Sequence, residues 1–318
     1  MKSDFVAITD HIKEFSVEKK FLGSYLEEEI TEKTTIILVW HKIINKEFLE
    51  KHPSIRAVVR YGVGCDNIDL EYCKKHNIIV ANTPDYGIDE VSDSALAMIL
   101  SLLRKISALE NLAKEDANYW LGKKLDLKMK RLNQLSLGII GLGRIGGSIA
   151  KKFTPFSRNI GFYDPYISNG YEKVYGIKRY KSLLNLLENS DIVSINTPLN
   201  DETNGMVNKE FLSKMKKGSY LINLSRGPIV ENNDLILDKL LSNHLEGYAT
   251  DVWINEPPTE SDNLNIAWIE NNKSLKGRII VNPHTAYYSE EALYECRSKA
   301  CATCLDIINN KKVNTQIF

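Results

Sequence analysis

The 318-residue chain carries 41 basic and 41 acidic residues, and so no net charge, with 43% apolar and 26% charged residues. That length exceeds a single core of usual size, so two domains are expected, and balanced charge without Lys/Arg blocks argues against nucleic acid as an obligatory partner. No apolar run approaches the ~18 residues of a membrane span, the start lacks an apolar signal core, and five cysteines suggest no disulfide framework, so a cytoplasmic protein without membrane contact is expected.

Residues 4–8, 35–40, 57–60 and 78–81 read as short buried strands. Polar or amphipathic stretches such as 41–52 and 68–76 separate them, an alternation that predicts a parallel sheet with crossover helices. A long helix follows, with Asp89 as its expected N-cap, and runs to about Lys105. Residues 108–134 are polar, with Trp120 as the expected anchor, and read as an arm or linker between domains.

A second alternating series starts at Ser136, with strands expected near 136–141, 159–164, 191–196, 219–224, 247–252 and 279–282. Six strands fit a doubly wound nucleotide-binding domain. Its first strand runs into Gly141-Leu-Gly143-Arg-Ile-Gly146 and then an amphipathic helix over 145–153. Gly141 permits the tight turn, Gly143 lets backbone approach a pyrophosphate at the positive helix end, and Gly146 allows close helix packing. The next strand ends in Asp164, 18 residues after Gly146, where an acid can accept ribose hydroxyls and repel a 2′-phosphate. NAD is therefore expected over NADP, with a simple turn acid before Pro165 as the plainer alternative.

Three later segments put chemistry behind apolar strand ends: Asn223-Leu-Ser-Arg226-Gly, Asp251-Val-Trp-Ile-Asn-Glu256-Pro-Pro and Asn282-Pro-His284-Thr-Ala. Arginine can grip a carboxylate and polarise the adjoining carbonyl, histidine can give or take a proton, and glutamate can hold that imidazole charged and oriented. Singly, each could be an ion-pair or loop residue; in this order behind a nucleotide fingerprint they form a catalytic set for a 2-oxo acid. No His/Cys/Asp cluster predicts a metal. The last helix, over about 289–310, must pack outside the nucleotide unit, and its Cys301 and Cys304 read as packed or half-exposed thiols. The other histidines, His11, His41, His52, His76 and His244, sit in helix or turn contexts.

With these residues in place, the chain resembles the D-isomer-specific 2-hydroxyacid dehydrogenase family over its whole length. The resemblance rests on Arg60-Tyr-Gly-Val-Gly-Cys-Asp-Asn-Ile-Asp69, the 141–146 glycine segment, Asn196-Thr-Pro-Leu, Asn223-Leu-Ser-Arg-Gly227, Asp251-Val-Trp-Ile-Asn-Glu-Pro257 and Pro283-His-Thr-Ala286. Arg60 and the segment 283–290 are most similar to the branch of C-terminal binding proteins and D-3-phosphoglycerate dehydrogenase-like proteins. The resemblance implies an α/β chain of two Rossmann-like parallel-sheet domains with a cleft between them, assembled as a homodimer. Residues 1–100 and 287–318 would form a flavodoxin-like substrate domain, and residues 101–286 a doubly wound NAD domain.

The same resemblance assigns the backbone amides of Val63 and Gly64 to the substrate carboxylate, Arg226, Glu256 and His284 to catalysis, and Asp251 to the nicotinamide carboxamide. It brings Arg60 to the substrate and Tyr287 to the pocket wall, and places Arg144, Ile145, Thr197, Pro198 and Leu224 in cofactor motifs. Gln134 and Asn196 stand where many members have glycine and histidine, a departure at the edge of the cofactor site. The expected activity is NAD-dependent interconversion of a 2-oxo acid and its D-2-hydroxy acid with His284 as acid/base. An NAD(H)-sensing interaction protein of the C-terminal binding protein type is the alternative, and short, branched and phosphorylated acids all fit as substrates.

Overall fold

The computed structural model describes residues 4–10, 12, 14–120, 129–270, 272 and 274–318; His11 and residues 121–128 of the expected linker lie outside them. The chain divides into two compact units, Met1–Gly87 with Tyr288–Phe318, and Ile88–Tyr287.

The first unit holds β1 (Phe5–Ile8), β2 (Leu26–Glu27), β3 (Thr34–Val39), β4 (Ala57–Arg60) and β5 (Ile79–Ala81), all parallel and ordered β2-β1-β3-β4-β5. That is the flavodoxin-type order. Ile36, Ile37, Leu38 and Val39 are wholly buried in succession, as a parallel strand covered on both faces requires. The two-residue β2 leaves no apolar run and was not among the four expected strands. The edge at β5 is covered by the chain's own tail, where Ile317 N donates to Val80 O at 2.9 Å. The final helix Glu290–Ile308 opens on Ser289, whose side chain accepts from Ala292 N, and packs on the helix Ser16–Leu22 and on β4. Its Cys301 and Cys304 are buried, and burial pushes the Cys301 thiol up to about 12.

In the second unit the strands are β6 (Leu137–Ile140), β7 (Ile160–Tyr163), β8 (Lys178–Arg179), β9 (Ile192–Ile195), β10 (Ser219–Asn223), β11 (Leu245–Thr250) and β12 (Ile279–Val281). All are parallel, in the order β12-β11-β10-β9-β6-β7-β8. The chain steps outward from β6 through β7 and β8, then returns to the other side of β6 at β9. This reversal is the switch point at which such sheets bind ligands. The sheet has seven strands where six were expected, because Lys178–Arg179 is too short and polar to announce itself.

Further expectations are corrected. Helix Ile88–Arg104 belongs to the second unit, so the boundary lies at residue 87 and not near 100. Its buried Ala95, Met98, Ile99, Leu102 and Leu103 pack on the helix Arg144–Phe153 and on β10 and β11. It also starts one residue before Asp89, whose carboxylate pairs with Lys152 at 3.0 Å instead of capping. The expected arm begins as a helix, Ile106–Glu115, with Ala108 buried against Gly277; Trp120, the expected anchor, is 79% exposed, its Nε1 donating to Ala113 O at 3.3 Å within the same segment.

Candidate active site

β6 is buried at all four positions and delivers the chain into the glycine turn. Gly141 has φ 86°, and a Cβ on it would lie 2.7 Å from Asn196 O; one on Gly146 would run into the Gly141 carbonyl oxygen. Gly143 stands at the N-terminus of helix Arg144–Phe153 with open space around it, beside an exposed Arg144 and a half-buried Ile145. Asp164, at the end of β7, accepts from Leu142 N at 2.9 Å through Oδ2 and from Tyr166 N at 2.9 Å through Oδ1. The acid thus tethers the glycine turn to the neighbouring strand end, a role the sequence did not suggest.

The loops after β9, β10, β11 and β12 carry the remaining candidates of this unit. After β9 come half-buried Thr197 and exposed Pro198, and after β10 half-buried Leu224 and Arg226. Asn223, fully buried at the end of β10, shapes the arginine loop: its Nδ2 donates to Arg226 O at 2.9 Å and its Oδ1 accepts from Ser225 N at 3.1 Å. The Arg226 guanidinium donates to Ser225 O at 2.7 Å. Sequence reasoning passed over Asn223, although an asparagine closing a buried strand is itself a signal, since its amide needs partners there.

His284 Nδ1 lies 2.7 Å from Glu256 Oε2, and both side chains are about two-fifths exposed, at 40% and 39%. Glu256 Oε1 accepts from Trp253 N at 2.8 Å, so the carboxylate is fixed at both oxygens. Burial works against its ionisation, but the bonds from His284 and Trp253 N and the charges of His284 and Arg226 outweigh it and hold Glu256 below its ordinary range. The backbone at His284 has φ 54°, in the left-handed region. Tyr287 stands edge-on to the imidazole, with ring centroids 6.4 Å apart.

Asp251 is almost wholly buried beneath this loop, where its Oδ1 accepts from Thr285 N at 2.9 Å and Ala286 N at 3.0 Å. Its carbonyl accepts from His284 N at 2.8 Å. Burial, joined by the nearby Glu256 charge, pushes the carboxyl up to about 6 against the amide bonds and His284. Below the unfolded value of 3.8 both states are protonated and the cost of charge is absent; it grows between 3.8 and about 6 and is complete above that. Asp251→Asn keeps the Oδ1 acceptor and removes the charge. Its melting temperature is therefore expected to gain on the wild type more at about pH 8 than at about pH 4, and an equal difference at the two pH values contradicts a charge strained by burial.

Arg60, Val63 and Gly64 lie in the first unit, at and after the end of β4. The half-buried Arg60 folds back so that its guanidinium bonds the carbonyl of Tyr61, while Val63 is 52% exposed. Among the described residues no group of three or more His, Cys, Asp or Glu is placed to hold a metal, and no helix is long and apolar enough to cross a membrane.

A dinucleotide fits the features of the second unit. The glycine turn leaves backbone approachable at a helix N-terminus, and Thr197 Oγ1 is buried with no hydrogen-bond partner among the described residues, the kind of orphan that a bound group satisfies.

A family model described as D-isomer specific 2-hydroxyacid dehydrogenase, NAD binding domain, matches residues 96–286. The chain is 33% identical over 252 residues to D-3-phosphoglycerate dehydrogenase of Bacillus subtilis (strain 168), a match covering 78% of this chain and 44% of that protein. It is 29% identical over 304 residues to C-terminal-binding protein 1 of Caenorhabditis elegans, covering 90% and 39%. The chain thus spans less than half the length of either relative. A D-lactate dehydrogenase from Aquifex aeolicus, solved with NAD and lactic acid, matches with a TM-score of 0.84 and 29% identity over 96% of each chain.

Proposed function

The chain belongs to the D-isomer-specific 2-hydroxyacid dehydrogenase family, with an NAD-binding domain in residues 96–286, and from that premise we propose that it interconverts a 2-oxo acid and its D-2-hydroxy acid. The observation that carries this reading is the His284–Glu256 pair at 2.7 Å, set on the loops after β11 and β12 of the sheet whose switch point bears the glycine turn. Hydride exchange at the carbon bearing the oxygen is the chemistry that bound NAD supplies.

With Nδ1 turned to Glu256, His284 presents Nε2 to the substrate oxygen and gives it a proton in the reducing direction, or takes one in the other. Glu256 fixes the ring and balances its charge. Arg226 grips the carboxylate and polarises the adjoining carbonyl, and the amides of Val63 and Gly64 take the same carboxylate. Gly141, Gly143, Arg144, Ile145, Gly146, Thr197, Pro198, Leu224 and Asp251 hold the cofactor, Asp164 its adenosine ribose, and Tyr287 lines the pocket. Arg60 favours substrates with a further anionic group.

The test is a panel of glyoxylate, pyruvate, 2-oxoisocaproate and 3-phosphohydroxypyruvate, followed by NADH absorbance, with NADPH in parallel and chiral analysis of the product. Turnover of at least one acid to its D-product with NADH is expected, and preference for the phosphorylated acid would support Arg60 at the substrate. No turnover of any acid sinks the reading; equal use of NADPH removes Asp164 from the ribose. A second reading, an NAD(H)-sensing protein in which turnover is secondary, is favoured by the 29% identity to C-terminal-binding protein 1 across 90% of this chain. Light scattering with and without NADH separates the two, since the dehydrogenase reading carries a cytoplasmic homodimer whose assembly does not depend on cofactor.

A further inference from the structure

The loop that leaves β4 toward Val63 and Gly64 is anchored at its start and braced along its length. Tyr61 is fully buried: its N–H donates to Val39 O at 2.8 Å and its hydroxyl to Glu18 Oε1 at 2.9 Å. Glu18 is equally buried and is held by Arg297 Nε at 2.8 Å from the final helix. Past Tyr61 the chain leaves the sheet, and three hydrogen bonds tie it to Asn82 and Thr83, the two residues that follow β5. Gly62 N donates to Thr83 Oγ1 at 2.6 Å, Thr83 N donates to Gly62 O at 3.0 Å, and Asn82 Nδ2 donates to Val63 O at 2.7 Å. Asn82 and Thr83 are themselves buried, and Cys296 Sγ stands 3.3 Å behind Thr83 Oγ1.

The two carbonyls that receive these bonds matter because of what lies at the other end of each. A peptide unit is planar, so a bond that fixes a carbonyl also fixes the direction of the N–H of the following residue. The Gly62 carbonyl shares its plane with the Val63 amide, and the Val63 carbonyl shares its plane with the Gly64 amide. Among the described residues no hydrogen bond engages either of those amides. The brace therefore grips both planes by their carbonyl ends and leaves free the two donors assigned to the substrate carboxylate.

We propose that Asn82 and Thr83 are positioning residues that aim the Val63 and Gly64 amides at the substrate carboxylate, an inference that rests on the dehydrogenase reading of that loop. Holding a carboxylate serves ground state and transition state alike, so a loosened loop raises KM more than it lowers kcat.

The test uses Asn82→Leu, which fills the buried space without a donor, and Thr83→Val, with Thr83→Ser as the conservative control. Hydrogen exchange of the segment 61–65 is measured beside KM and kcat for glyoxylate, a 2-oxo acid with no side chain to confuse the reading, and beside NADH affinity. Exchange in 61–65 is expected to accelerate and KM to rise about fivefold in the Leu and Val variants, with kcat and NADH affinity within about twofold and Thr83→Ser close to wild type. Unchanged exchange in both variants overturns the brace, whatever happens to melting temperature. Faster exchange with unchanged KM leaves the brace standing and instead removes the carboxylate from this loop.

Discussion

His284→Gln is expected to lower turnover on the order of a hundredfold or more while NADH binds as before. Glutamine keeps a donor near the position of the imidazole but cannot carry a proton to the substrate and back. The loss should fall on kcat, because the proton moves only as the reaction proceeds. In the wild type Glu256 is held below its ordinary range partly by His284 itself, so the variant loses the imidazolium and, with it, part of what keeps its partner carboxylate ionised. Turnover within a few-fold of wild type by NADH absorbance would show that the proton comes from elsewhere.

Arg226→Met is expected to reduce kcat/KM on the order of a hundredfold or more, since two charge-assisted bonds to a carboxylate contribute roughly 1.5 to 3 kcal/mol each. Both kcat and KM should move, because the same guanidinium anchors the acid and draws charge from its carbonyl. The methionine should cost little stability: Arg226 is half-buried, and the loop around it is shaped by Asn223 through main-chain atoms. Lysine is a poor substitute, as a point charge lacks the planar fork. An Arg226→Lys enzyme as active as the wild type would rule out two-point recognition, and a large fall in melting temperature for the methionine variant would make Arg226 a structural residue.

Much of this arrangement was legible in the chain because buried parallel strands write themselves as apolar runs. Thr34–Val39, Leu137–Ile140 and Ile192–Ile195 could hardly be anything else, and each later candidate followed such a run. β2 and β8 were invisible because two residues carry no period. The helix Ile88–Arg104 was legible as an element, but an amphipathic stripe does not say which sheet it will meet, and the domain boundary was misplaced with it. At the site, residue types announced the Arg, Glu and His, whereas the supports beneath them did not. Asn223 acts within its own loop and could have been read from its place at a strand end, but the amide bonds of Asp251 and the paired tethers of Asn82 and Thr83 are facts of three-dimensional proximity between residues far apart in sequence.

The left-handed backbone at His284 sets two selective pressures against each other at one position. An L-residue with a Cβ spends roughly 1 kcal/mol to sit there; histidine, asparagine and aspartate bear that cost better than most, and glycine does not meet it. A search for hardier variants guided by heat resistance alone would therefore tend to favour His284→Gly, a change that relaxes the main chain and abolishes the proton carrier. Sturdiness and competence part company at this residue, and any directed-evolution scheme for this scaffold has to score both in the same round.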